Sequence, residues 1–243
     1  PIAGSDIAFK EEWWQEWEVR PYTMNVYLMC DPAHSKKKTS NRTAMAVVGV
    51  DANYNKFLLD GLCHRLSLSE RWDNLKKLRT KWKRAPGIRE VKVGYERYGA
   101  QADIEHFKEM MRIEGSSFPI YELNWVGGGG SQSKKDRIQR LEPDLKDGSF
   151  FFPYPTDKNH LTSSQVDYKE RKQDFLNSKK ILCKNEEGKL YDLSNWVKEN
   201  EYCLFPSIHP DFLDALSRIY DMDASPPMPR RGRILEPEME ATY

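Results

Sequence analysis

Three acidic residues stand where a carboxylate does little for packing and much for chemistry: Asp31 in NVYLMCDPAHS, Glu96 in VKVGYERYG and Asp214 in HPDFLDALSRIY. The first two close short apolar runs that predict strands, and the third lies at the start of an amphipathic stretch that predicts a helix. Acids are frequent at such positions because turns and helix starts favour them, so spacing alone is a weak sign. Converging carboxylates repel one another, however, unless a divalent cation sits among them. Hard carboxylate oxygens suit Mg²⁺ and Mn²⁺, and the arrangement points to two-metal phosphodiester chemistry.

The elements that must position these acids follow from periodicity. Residues 7–18 (IAFKEEWWQEWE) predict a short helix, with Ile7, Phe9, Trp13, Trp14 and Trp17 as its apolar positions, ended by Arg20-Pro21. NVYLMCD, TAMAVVGVDA and KFLLDGLCHRL predict three strands, the last two joined by a turn at Asn53–Asn55. SLSERWDNLKKLRTKWKR then repeats apolar residues at helical spacing, with Ser69 as a candidate cap, and stops at Pro86-Gly87. A strand to Glu96, a helix ending at Gly115 and the strand PIYELNW come next. The order β-β-β-α-β-α-β is that of the ribonuclease H and retroviral-integrase class: three antiparallel strands, then parallel additions, flanked by helices.

Further on, Gly127–Gly130 lead into a helix from about Lys134 to Leu145 and a strand from about Ser149. The glycines do not form a phosphate-binding P-loop, because Gly130 is followed by Ser-Gln-Ser, and they read as a hinge. ILCKNEEGKLYDLSNWVKENEYCLF predicts a C-terminal hairpin insertion turning at Glu187-Gly188. The expected organisation is a linker or helix remnant over 1–24, a nuclease-like domain over 25–222 and a Pro-rich tail with an RRGR cluster over 223–243.

Composition narrows the classes. The 38 basic and 37 acidic residues nearly cancel, so any nucleic-acid surface must be local. A mean hydropathy of −0.78 suits a soluble chain, and seven Trp are too many for a disordered one. Four dispersed cysteines, Cys30, Cys63, Cys183 and Cys203, give neither a zinc nor a disulfide pattern, and no run is apolar enough to span a bilayer. The N-terminus has no signal-peptide pattern and reads as the interior of a longer protein.

Four local features resemble the C-terminal nuclease domain of the large terminase subunit of tailed bacteriophages, over most of residues 25–222. They are Asp31-Pro32-Ala33 before a small-residue strand, Glu96 in YERYGA, SKKDRI at Ser133–Ile138 with the following FFFP, and DFLDAL at Asp211–Leu216. The resemblance implies an endonuclease that cuts concatemeric viral DNA during genome packaging. It implies two Mg²⁺ or Mn²⁺ ions held by Asp31, Glu96 and Asp214, with Asp31 bridging. The family pattern favours the acid directly before Ala-Leu, which is Asp214. Asp211, three residues earlier on the same helix face, is either a further ligand or a helix cap, with His209 as an auxiliary group. Asn41 stands where the family often carries another acid.

Lys36, Lys37 and Lys38 after Asp31, Arg97 beside Glu96, and Lys134, Lys135 and Arg137 at a helix start are the candidate phosphate contacts. Cations at a helix N-terminus oppose the macrodipole, which makes anion binding the better explanation of their position. Nothing resembles base-edge readout, so little sequence preference is expected. The resemblance further implies double-stranded DNA, an N-terminal ATPase domain, the small terminase subunit and the portal as partners, and the host cytoplasm as the location. ATPase activity is not expected of this chain, since it carries no Walker motif. A junction-resolving or replication-associated nuclease of the same fold class, preferring branched DNA, and an inactive nucleic-acid-binding module are the alternative readings.

Overall fold

A computed structural model of the chain describes residues 8–33, 42–96, 101–124, 131–154, 180–184 and 188–228. Lys36, Lys37, Lys38, Asn41, Arg97, Gly127–Gly130 and the RRGR cluster lie outside the described residues.

The element order is β1 (Gln15–Trp17), β2 (Met24–Asp31), β3 (Thr43–Val50), β4 (Lys56–His64), α1 (Leu68–Arg84), β5 (Ile88–Glu96), α2 (Gln101–Ile113) and β6 (Ile120–Leu123). Then follow α3 (Ser131–Gln139), α4 (Glu142–Lys146), β7 (Phe150–Pro153), β8 (Leu182–Lys184), β9 (Leu190–Asp192), α5 (Leu193–Val197) and α6 (Asp211–Ser217). Seven strands form one sheet in the order β1-β7-β4-β3-β2-β5-β6. β2, β3 and β4 are antiparallel neighbours, whereas β5 pairs parallel with β2, β6 with β5, and β7 with both β4 and β1. This is the mixed sheet of the ribonuclease H and retroviral-integrase class, and it follows from the sequence: β2 and β3 are buried on both faces and read as continuous apolar runs.

Helices cover both faces. Asp60 accepts from Trp82 Nε1 and Lys81 Nζ of α1, while the next residue, Gly61, faces Phe212 of α6. Alternation along a strand therefore puts α1 and α6 on opposite sides of the sheet. Gly61 permits the α6 packing, because a Cβ there would sit 2.6 Å from the Met45 carbonyl oxygen and 2.9 Å from the Phe212 ring.

The structure corrects three local expectations. Of the segment 7–18, residues 8–18 do not form the expected helix: a 3₁₀ turn at Glu11–Trp13 leads into strand β1, which joins the sheet beside β7. Trp14 stacks on Phe152 at 3.5 Å between centroids, and Trp17 Nε1 donates to the Leu58 carbonyl at 3.0 Å. The indoles bury themselves against the sheet, so among the described residues the core begins with Phe9. The α1 cap is Ser67, whose hydroxyl accepts from the Glu70 N–H while the Glu70 carboxylate returns to the Ser67 N–H, a complete capping box that leaves Ser69 inside the first turn. The helix expected over 134–145 is two helices, since Pro143 cannot donate within a continuous one and instead sits near the start of α4. The predicted hairpin is present as β8 and β9, with Gly188 at φ +78°, although Glu187 is outside the described residues.

Candidate active site

Asp31 is the last residue of β2 and Glu96 the last of β5, two parallel neighbours whose register pairs Cys30 with Tyr95. The two carboxyls consequently stand side by side at the carboxyl edge of the sheet. Asp214, on the first turn of α6, approaches from the face covered by that helix and is fully buried. The Asp31 carboxyl is pushed well above the usual carboxylate range, first by loss of solvation, then by the charges of Glu96 and Asp214 and a hydrogen bond with Glu96; Lys134 acts in the opposite sense.

Side-chain cations pair with the acids around Asp31. Arg137, buried on α3, binds Asp214 through a two-pronged contact, Nε to Oδ1 at 2.9 Å and Nη2 to Oδ2 at 2.7 Å. Lys134, one helical turn earlier, places Nζ 2.9 Å from Asp211 Oδ1 and 3.6 Å from Asp214 Oδ2. Burial by itself would lower the Lys134 ammonium, but Asp211, Asp214 and Asp31 together hold it above its ordinary value. Arg218, with no exposed surface, lies 3.0 Å from Glu96 Oε1 and donates to Asp221 Oδ2 at 2.8 Å; Asp221 also accepts from Arg140. Lys134 and Arg137, expected to face a phosphate, thus face the acids, while Lys135 is half-buried on the same helix.

Asp211 is the first residue of α6 and not its cap, a position taken by Pro210. Its carboxylate accepts from the Arg42 N–H at 2.9 Å and from Lys134. His209, just ahead, is exposed. The helix start is instead satisfied by Glu201, from the π-helical turn Lys198–Tyr202. Its carboxylate accepts from the N–H groups of Asp211 (3.2 Å), Phe212 (3.1 Å) and Leu213 (2.9 Å). Burial pushes the Glu201 carboxyl up to about 7, although the Leu213 and Phe212 N–H groups pull it down. Glu201 and Arg218 are the residues that sequence reasoning missed. Arg218 had a signal, a charge amid the apolar Leu216 and Ile219, whereas Glu201 in KENEY had none.

Among the described residues no three His, Cys, Asp or Glu side chains converge closely enough to hold one ion as they stand. Both Asp214 oxygens are committed to Arg137. The donor chemistry nonetheless fits a hard divalent cation: adjacent carboxyls, one raised by burial and then by its neighbours' charge, are relieved by a cation that takes oxygen ligands.

No family model and no curated protein sequence matches the chain. The chain is similar along most of its length to terminase nuclease domains. It aligns with the human cytomegalovirus terminase nuclease domain at 11% identity over 89% of this chain and 96% of that one, with a TM-score of 0.48. The large terminase nuclease from a thermophilic phage aligns at 11% identity over 87% and 94%, with a TM-score of 0.41. The yeast mitochondrial Holliday junction resolvase aligns at 12% identity over 65% and 75%, with a TM-score of 0.31.

Proposed function

We propose that this chain is a metal-dependent endodeoxyribonuclease, the nuclease part of a viral DNA-packaging terminase, in which Asp31, Glu96 and Asp214 hold two Mg²⁺ or Mn²⁺ ions. The observation that carries the reading is the juxtaposition of two strand-terminal carboxyls on adjacent parallel strands with a buried helix carboxylate, Glu96 and Asp214 each held by an arginine. Bound ions would lower the pKa of an attacking water and stabilise the leaving 3′ oxygen. The chain's own residues do the remaining work. Asp31, which feels the charge of both other acids, would be the shared ligand; Glu96 would be oriented by Arg218 and Asp214 by Arg137. Lys134 and Arg137 counterbalance Asp211 and Asp214 and are the proposed contacts to a scissile phosphate. Asp211 is the additional ligand candidate, with His209 at the approach to its helix.

Lys36, Lys37, Lys38, Arg97 and Lys135 are proposed contacts to the duplex backbone, which gives cleavage little sequence preference. In the complete packaging machine an ATPase domain, the small subunit and the portal are the proposed partners, acting on concatemeric DNA in the host cytoplasm. The test is nicking of supercoiled plasmid with Mg²⁺ or Mn²⁺. Cleavage that a chelator stops and that Asp31→Asn, Glu96→Gln and Asp214→Asn each abolish is the expected result. Full activity in Asp31→Asn sinks the proposal, and cleavage confined to four-way junctions moves the assignment to a junction-resolving nuclease.

A further inference from the structure

On the sheet face opposite the acid cluster lies a polar chain the reaction does not use. Tyr95 precedes Glu96 and so points to the other side of β5, where its ring meets Phe107 of α2 edge-on at 5.2 Å. Its hydroxyl donates to Asp103 Oδ2 in the first turn of α2. Asp103 in turn holds Arg71 of α1, with Nη2 2.9 Å from Oδ1 and Nε 2.8 Å from Oδ2. The same guanidinium donates through Nη1 to the carbonyls of Ala33 and Leu66, each at 3.2 Å.

Ala33 is two residues past Asp31, Leu66 two past the end of β4, and Tyr95 one before Glu96. One nearly enclosed ion pair therefore ties together the chain leaving β2, the chain leaving β4, the start of α2 and the end of β5, all at the carboxyl edge. A buried ion pair is a poor device for stability, because a well-packed apolar replacement does as well or better. Its distinctive property is fixed geometry: the planar fork accepts only one arrangement of its carboxylate and carbonyl partners.

We infer that Arg71, Asp103 and Tyr95 are positioning residues that set the separation of the Asp31 and Glu96 carboxyls from behind the sheet. This rests on the metal-binding reading proposed above. Residues supporting metal ligands characteristically change metal affinity 10–100-fold when altered. The experiment is a Mn²⁺ titration of the whole chain without DNA, following free Mn²⁺ by electron paramagnetic resonance, with a thermal melt of each variant in chelator. Asp103→Asn is expected to weaken Mn²⁺ binding about tenfold or more. Tyr95→Phe, which keeps the ring and its packing, is expected to weaken it several-fold with a melt close to the parent. Arg71→Lys, which keeps the charge but not the fork, should resemble Asp103→Asn.

The Asp31→Asn control separates the two levels of inference. If the parent binds no Mn²⁺, or Asp31→Asn binds as the parent does, the metal reading falls and this inference with it. If Asp31→Asn loses binding while Tyr95→Phe and Asp103→Asn retain the parent affinity, the network is only structural and the inference is overturned.

Discussion

Replacing Glu201 with glutamine should change how stability depends on pH more than it changes stability at any one pH. The carboxyl is enclosed at the start of α6, and its value rises in the fold from an ordinary 4.5 to about 7. An acid raised in this way contributes stability that is complete below 4.5 and is lost as pH climbs through about 7, because ionisation is harder in the fold than in the unfolded chain. The rise of about 2.5 pH units, at about 1.4 kcal/mol each, corresponds to about 3 kcal/mol withdrawn between those limits. For a chain of this size about 3 kcal/mol moves the melting temperature by roughly 6–12 °C. Asp31 is raised too and slopes in the same direction, so the parent curve alone is not diagnostic. Glutamine keeps the shape and cannot ionise, which makes the difference between variant and parent specific to Glu201. That difference, read by differential scanning fluorimetry in chelator, should move in the variant's favour by roughly 6–12 °C from about pH 4.5 to about pH 8. Parallel curves across this range would refute the reasoning and show that the three N–H groups hold the carboxylate ionised throughout.

Three other outcomes are expected. Asp31→Asn should raise the metal-free melting temperature at about pH 8, because it removes a carboxyl opposed by Glu96 and Asp214, while abolishing Mn²⁺ binding; a lower melt in chelator contradicts the repulsion argument. Arg137→Ala leaves Asp214 buried without its two-pronged partner and should cost about 3–5 kcal/mol in urea unfolding, most of it recovered when Asp214→Ala is added. In an Asp214→Asn background, replacing Lys36, Lys37 and Lys38 with alanine should flatten the log–log salt dependence of duplex binding, measured by filter binding, by about 0.9 for each phosphate no longer neutralised.

The central sheet was legible because its apolar runs have unambiguous lengths and end in acids that packing does not require. The N-terminal segment was not, because Trp13, Trp14 and Trp17 fit a helical face as well as a strand, and only contact with β7 decides between them. Lys134 and Arg137 were visible as misplaced cations, yet a helix start says nothing about which way they face. Their partners Asp211 and Asp214 lie far along the chain. Glu201 was invisible for a related reason: its hydrogen bonds go to backbone groups across an irregular connection, and backbone leaves no mark in residue type. Asp103 and Tyr95 likewise read as an ordinary helix acid and an ordinary strand aromatic.

Asp31 comes from the first long strand of the sheet and Asp214 from the last α-helix of the described residues, which docks through Phe212 against Gly61. During synthesis the strand-borne acids are made long before their helix partner emerges. Contacts so distant in sequence carry a large loop-closure cost. A half-made or truncated polypeptide therefore carries the two strand carboxyls without the third, and the proposed capacity for both metal ions arrives together with completion of the fold. For a nuclease of the kind proposed, cutting DNA with little regard for sequence, the order of translation itself would act as a safeguard.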